Sequence, residues 1–470
     1  MMLFEQDTQV GDDRSTGEPW GKRLWLTLAL VAVATSFLLS YGISTWPMAD
    51  DEVPTLVEMG LLHVDPRAFS VPASQLETLP KALPVWYAFQ RYALSLVPSN
   101  ELGFRLPSLF CAILEVSLAF LLAARWRGLW YAVGLAIVLD GSQLFVYLAQ
   151  VGRFYSMPLL LLTLTLAVIA LPRGGIGMIL ATAVLTVLSV LSHNVTVAVF
   201  VLAFLAACPA WWLGRAGWHV LVRSGVAALT ATLLYFLYLR PLVRGWSSTG
   251  NPTPVLVSFA AQAGIPLLAL ALLGCWLAVV RRDQGRSMLW WALMFAGSLC
   301  FLQGTSMSWN PRYFLFFLPA LWILAAHSMH FIARTLRYGS VGTAWYCAVV
   351  LLLLPSLASH YQDGSRHDYR QAAEVIASSA RPEQPILSDD AETISYYLPV
   401  SLREGLRVRT KVKRVPTSEF FLVCRSNAWT PLPQIPHRRM DLLAEIHRRR
   451  YDQFSHILRV YRVASVEGLE

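Results

Sequence analysis

Repeated apolar runs constrain this chain more than any motif does. They lie near residues 24–46, 104–124, 129–148, 155–171, 176–192, 195–213, 219–239, 255–280, 288–304, 313–333 and 340–359. A helix needs roughly 20 apolar residues to cross a bilayer, so the pattern predicts about eleven membrane spans. Of 470 residues, 56% are hydrophobic and only 14% charged, where a soluble domain carries about a quarter charged residues. A water-soluble enzyme, a disordered tail and a nucleic-acid module are therefore excluded as accounts of the whole chain.

The net charge of +9 reads as topology, not as a sign of a nucleic-acid partner. Lys22/Arg23, Arg125/Arg127, Arg173, Arg215/Arg223, Arg281/Arg282/Arg286 and Arg334/Arg337 fall on alternate connections. By the positive-inside rule those connections are cytoplasmic, and an odd number of spans puts the polar tail on the outer side. Residues 1–23 become a cytoplasmic segment. The run that follows reads as an uncleaved anchor, because hydrophobicity continues past Leu39. Five of the six cysteines lie in apolar runs, and none has zinc-type spacing.

Two polar regions remain. The first outer connection, 47–104, is far longer than a link between spans requires and contains two amphipathic stretches, Val53–His63 and Val85–Val97. The tail, 361–470, has the texture of a small soluble α/β domain. In it Tyr369–Ala380 reads as a helix capped by Asp368, and Asp441–Arg450 as a second helix. Pro385–Leu387, Phe420–Cys424 and His456–Val463 read as strands. The cluster Arg448-Arg449-Arg450 reads as a solvated or headgroup-facing surface.

Asp50-Asp51-Glu52 follows the first span by a few residues. Adjacent carboxylates beside lipid repel one another and resist ionisation, which suits a base or a cation contact; the same residues also suit a helix N-terminus. Lys81, Arg105, Arg153 and Arg312 sit at outer membrane ends against the positive-inside trend. Snorkelling explains each singly, but together they fit a bound anion such as a lipid phosphate. Glu115 and Asp140 lie in or near spans and support an alternative, a secondary transporter.

At these positions the chain resembles the GT-C glycosyltransferases, in particular the dolichyl-phosphate-mannose–protein mannosyltransferases and bacterial lipid A aminoarabinose transferases. Asp51-Glu52 resembles the acidic pair that opens their first external loop. Residues Leu79 to Tyr87 resemble the K-P-P-aromatic segment, with Ala82 in place of the first proline. Arg105-Leu106-Pro107-Ser108 resembles R-L-P-S, and Tyr147 to Tyr155 resembles Y-x-x-Q-x-x-R-x-Y. Asn310-Pro311-Arg312-Tyr313-Phe314 resembles a late R-Y-hydrophobic segment, and Asp368 to Ala373 the opening of a soluble tail.

The resemblance implies an all-α polytopic membrane domain of GT-C type (24–360) with a small extracytoplasmic α/β domain (361–470). It implies a glycosyltransferase of the bacterial cytoplasmic (inner) membrane that uses a polyprenyl-phosphate monosaccharide, with membrane lipids around it. The acceptor would be a lipid or glycan, less often a protein. Asp51 matches the first acid of the pair and would be the base, with Asp50 and Glu52 as neighbouring alternatives. Lys81, Arg153, Arg105 and Arg312 would bind donor phosphate; Tyr147, Gln150, Tyr155 and His193 would line the substrate pocket. No metal or other cofactor is required by the sequence, and a divalent metal stays open.

Overall fold

In this computed structural model the described residues are 21–48, 52–60, 78, 80–97, 101–172, 175–242, 255–281, 288–304, 311–336, 339–363, 366–382, 384–408, 416, 418–426, 435, 438–448 and 456–465. Each predicted apolar run becomes a helix or a bent helix pair. The first is α1 (Lys22–Ser40), followed by two helices of the long connection, α2 (Glu52–Glu58) and α3 (Pro84–Leu96). Next come α4 (Glu101–Arg127), α5 (Leu129–Asp140), α6 (Gln143–Ala149), α7 (Ser156–Ala170), α8 (Ile176–Ser192) and α9 (Thr196–Trp212). The membrane domain ends with α10 (Trp218–Leu234), α11 (Val255–Ala263), α12 (Ile265–Val280), α13 (Met288–Gly304), α14 (Leu318–Thr335) and α15 (Gly339–Asp363).

About eleven spans were expected from apolar length, and the helices that form them differ in length. Five are long and apolar enough to cross a membrane, or up to seven if each bent pair counts as one span. The four remaining runs form shorter apolar helices, α7, α8, α9 and α13. At 1.5 Å per residue a 15- to 17-residue helix measures only about 22–26 Å, short of the roughly 30 Å hydrocarbon core. Helix α1 buries only Thr35 and Leu39 and turns Leu26, Leu30, Val33 and Phe37 outward, as expected for a lipid-facing helix. The chain is thus a multi-pass membrane protein.

The α5–α6 pair bends by 68° at Gly141. A Cβ there would come within 2.3 Å of Leu353 on α15 and 2.8 Å of the Ile137 carbonyl, so glycine is what lets α15 pack into the bend.

After α15 the chain forms α16 (Tyr369–Ala377), β1 (Ile386–Ser388), α17 (Ala391–Tyr397), α18 (Val400–Arg403), β2 (Leu406–Val408), β3 (Phe420–Ser426), β4 (Arg438–Arg448) and β5 (His456–Ser465). The sheet order is β2-β1-β3-β5-β4; β1 runs parallel to β2 and β3, while β5 runs antiparallel to β3 and β4. Helix α16 buries Tyr369, Ala372, Ala373 and Ile376 along one stripe, and Asp368 caps it by accepting from the Gln371 N–H at 3.0 Å. The expected helix over Asp441–Arg450 is instead strand β4, paired along its length with β5. A bulge between Leu442 and Ala444 breaks strict alternation, which is why the segment imitates a helical period.

This tail domain is docked on the membrane domain. Arg370 grips Glu101, at the start of α4, with Nη2 at 2.9 Å from both carboxylate oxygens. The Tyr397 hydroxyl donates to Glu101 at 3.0 Å and accepts from the Met48 N–H at 2.6 Å. Because the ion pair is partly exposed, Glu101→Ala is expected to cost only about 1 kcal/mol. Its sharper effect is loss of docking: limited proteolysis should cleave the tail domain of the variant faster than that of the wild type.

Candidate active site

One carboxylate ties the start of the long connection to α4. Glu52 opens α2 and is fully buried, as is Arg105 on α4. Arg105 Nε and Nη2 donate to the two carboxylate oxygens at 2.8 Å each. Its remaining N–H groups go to the backbone: Nη1 to the carbonyls of Ile43 and Trp46 at 2.6 and 3.0 Å, Nη2 to that of Pro47 at 2.9 Å. A guanidinium has five N–H donors, and this geometry commits all five. Arg366, at the entry to the tail domain, approaches the same carboxylate at 3.6 Å and donates to the Pro47 carbonyl at 3.1 Å. Burial and the neighbouring Arg105 push the Arg366 guanidinium down to about 10, with Glu52 pulling it back.

Glu52 also accepts from the Gly152 N–H at 2.7 Å. A Cβ on Gly152 would lie 2.3 Å from the Phe104 ring, so only glycine lets this backbone approach both partners. Ser108 fixes the next residue by donating to the Arg153 carbonyl at 3.0 Å. The clamp therefore sets the position of Arg153 through the backbone on both sides of its N–H.

The Arg153 guanidinium lies 4.5 Å from the centroid of the Phe154 ring. Its electrostatic neighbours are Tyr155, Glu58, Tyr87 and Tyr313. The rings of Phe154, Tyr313 and Phe316 stand 4.6–5.2 Å from the His193 imidazole. Burial and the Arg153 charge push His193 down to about 3. Its Nδ1 accepts from the Val195 N–H at 3.2 Å, which places the ring proton on Nε2.

Glu58, at the other end of α2, is the carboxylate that sequence reasoning missed. Burial pushes it up to about 7, while Arg153 and a hydrogen bond donated by the Tyr87 hydroxyl pull it down and Glu392 of α17 pushes it up again. The same burial, with Glu58 beside it, holds the Tyr87 phenol well above its ordinary value. The only sequence signal for Glu58 was its place on the amphipathic stretch Val53–His63; that a half-buried carboxyl would meet Arg153 from a distant connection was not visible.

The other expected site residues divide clearly. Asp50 and Asp51 lie outside the described residues. Glu52 and Arg105 belong to the clamp: all five Arg105 N–H groups are committed within it, and Glu52 is held by two guanidinia and a backbone N–H. Gln150 is likewise a brace, its Nε2 donating to the Leu39 and Tyr41 carbonyls at 3.0 and 3.2 Å and its Oε1 meeting His360 Nε2 at 2.7 Å. Tyr147 is buried with its ring centroid 5.8 Å from the Arg366 guanidinium and belongs to the clamp side. Arg153, Tyr155 and His193 are brought together, with Arg312 acting on the adjacent Tyr313. The Lys81 side chain is exposed, and its carbonyl accepts from the Tyr238 hydroxyl at 2.9 Å. Among the described residues no three His, Cys, Asp or Glu side chains form a group able to hold a metal ion.

The clamp predicts an asymmetric mutational pattern. Glu52→Gln strands the buried Arg105 charge and should lower stability by about 3–5 kcal/mol, whereas Glu52→Leu with Arg105→Met should recover much of it. Thermal unfolding in detergent measures both; a single variant as stable as the double would contradict the clamp.

No protein-family model matches the sequence, and no curated protein matches it by sequence. Solved structures do match its shape. ArnT from Cupriavidus metallidurans in the apo state superposes with a TM-score of 0.57 at 14% identity, over 93% of this chain and 97% of that one. The same protein bound to undecaprenyl phosphate gives 0.57 at 14%, over 96% and 99%. The oligosaccharyltransferase of Archaeoglobus fulgidus gives 0.50 at 12%, over 84% and 66%. The chain therefore has the GT-C fold that its short motifs suggested, a helical membrane domain carrying a small C-terminal sheet domain.

Proposed function

We propose that this protein is a glycosyltransferase that moves a monosaccharide from a polyprenyl-phosphate donor to a lipid or glycan acceptor. The observation that carries the proposal is Arg153, a guanidinium enclosed by Phe154, Tyr155 and Tyr313 beside the long connection. ArnT, which shares the fold, has been solved with undecaprenyl phosphate, and that similarity supports a lipid phosphate as the anion for Arg153. Asp51, the residue before the clamped Glu52, is the base: it takes the proton of the acceptor hydroxyl or amine as the nucleophile attacks the anomeric carbon. The bond from that carbon to the phosphate oxygen breaks, and the electron pair leaves on the phosphate. Arg153, with Arg312 and Lys81 as further cations, stabilises that charge, so the leaving group needs no acid. One displacement inverts the anomeric centre. The active site and tail domain face the extracytoplasmic side of a bacterial inner membrane in this reading.

The transporter alternative rested on Glu115 and Asp140. Each instead accepts from a hydroxyl on a neighbouring helix, Thr163 at 3.0 Å and Thr35 at 2.8 Å, contacts that join helices.

The experiment compares envelope glycolipids by mass spectrometry in a deletion strain complemented with wild type or with Asp51→Asn. Wild type should restore a single-sugar mass increment, and Asp51→Asn should reduce transfer by roughly 10²–10⁴-fold. Restoration by Asp51→Asn, Asp50→Asn and Glu52→Gln alike would remove this connection from the chemistry.

A second prediction concerns pH. Glu58 is neutral below about 7 and ionised above it. When ionised it competes with a phosphate for Arg153. Bound phosphate should therefore raise the Glu58 pKa further, and undecaprenyl phosphate should bind more weakly as pH rises through 7 and beyond. A one-unit rise corresponds to about tenfold in affinity. Glu58→Gln should lose this dependence, and because the ligand's own ionisation is common to both proteins, the ratio of their affinities isolates Glu58. A ratio that stays constant from pH 5.5 to 9 would disprove the coupling.

A further inference from the structure

Residues 391–395 of α17, in the tail domain, are all buried. Ala391, Ile394 and, just past the helix end, Leu398 form one stripe inside the tail core. Glu392 and Ser395 lie on a neighbouring side and are polar, yet only 7% and 0% exposed. Their cover comes from the membrane domain. Helix α17 packs against α2, with Glu392 an electrostatic neighbour of Glu58 and Glu52 one of Tyr396. These pairings match the second residue of one helix with the last of the other, and the sixth with the first. The two seven-residue helices therefore run antiparallel.

Both ends of α17 are anchored. At its start Asp390 accepts from the Thr393 N–H and hydroxyl, both at 3.0 Å, and pairs with Arg425 of β3. Arg425 also donates to the Tyr369 hydroxyl of α16 at 2.6 Å, so α17 is fixed to the sheet and to the preceding helix. At its end the Tyr397 hydroxyl accepts from the Met48 N–H and donates to Glu101. A helix of seven residues is unstable alone, so the orientation of α2 is set by what it packs on. The clamp holds the Glu52 end of α2, whereas α17 runs along it to Glu58. Docking by itself needs none of this, because Arg370 and Glu101 join the two domains without touching α2 or Met48.

We propose that α17 is a splint for α2 and that Tyr397 is a positioning residue of the transfer site, holding the chain that leads into the acidic segment. The hydroxyl acts through the Met48 backbone and touches no substrate. Its consequence for catalysis rests on the transfer reading above; the splint itself does not.

The test compares full-length wild type, Tyr397→Phe and Arg370→Gln in lipid nanodiscs. Both variants lose a bond to Glu101, but only Tyr397→Phe strands the Met48 N–H, and it keeps the ring that stands 4.9 Å from Tyr396. Hydrogen exchange at Met48 and α2 should quicken about tenfold in Tyr397→Phe, the effect of one lost hydrogen bond. In Arg370→Gln, whose ion pair is partly exposed, it should stay within about twofold of wild type. In the complemented strain Tyr397→Phe should cut the single-sugar increment by about tenfold or more, the cost of a misplaced group. Purified Tyr397→Phe should still bind undecaprenyl phosphate as tightly as wild type. Unchanged exchange in Tyr397→Phe, or equal acceleration in Arg370→Gln, would overturn the splint in favour of general docking. Full transfer by Tyr397→Phe beside an active wild type would overturn its place in the site. Should wild type transfer no sugar while exchange responds as expected, the splint stands and only the transfer reading fails.

Discussion

A guanidinium cannot shed its charge, and Arg105 carries one into a fully buried site. The Glu52 carboxylate and three backbone carbonyls answer it, and the placement of the surrounding elements follows. Ile43, Trp46 and Pro47 lie on the stretch that leaves α1, Glu52 begins α2, and Arg105 is one turn into α4. One side chain thus ties the exit of the first helix, the start of the long connection and the return to the membrane. Gly152 adds the α6–α7 connection through the same carboxylate, and Arg366 adds the tail domain. Such a buried pair contributes little net stability compared with apolar packing, but removing one partner is severe. Its value is geometric: it fixes the start of α2 against α4 and the exit of α1.

The two buried arginines show why the sequence was legible only in part. By charge and placement Arg105 and Arg153 read alike, both cations at outer helix ends, with Arg153 a leading phosphate ligand and a brace between span and loop the alternative for Arg105. What separates them is the company each keeps. Arg105 faces carbonyls released where α1 ends, whereas Arg153 faces aromatic rings and a titratable carboxyl. Apart from Phe154 and Tyr155, which adjoin Arg153, those surroundings arrive from residues 53 to 160 positions away in sequence, so spacing carries no trace of them. The partners of Gln150 are equally remote, its amide being engaged by α1 and α15.

Local features were read more reliably. The Asp368 cap, the amphipathic α16 and strands β1, β3 and β5 follow from short-range rules and are found where expected. Strand β4 failed because a bulge hides its alternation, and sheet pairing outweighs local propensity. The apolar runs were right in position, and four of them form the shorter helices α7, α8, α9 and α13. Hydropathy averages across Gly141-Ser142, where the backbone turns, and so reads α5 and α6 as one run. Fold class survived these errors because it depends on the number and order of apolar runs, not on their ends.

The breaks in the helices and the placement of charge are connected. A continuous helix satisfies its own backbone and presents side chains only; an interrupted one frees carbonyls and N–H groups at depth, which must be satisfied inside the protein. Here the freed groups are used to hold charge: the carbonyls at the end of α1 bind Arg105 and Gln150, and the N–H of Gly152 between α6 and α7 binds Glu52. With those charges fully satisfied, Arg153 can sit one residue further along with its charge directed at rings and at Glu58. Short and bent helices therefore do more than shorten the spans. They supply the backbone partners that keep one set of charges inert and leave another facing a site.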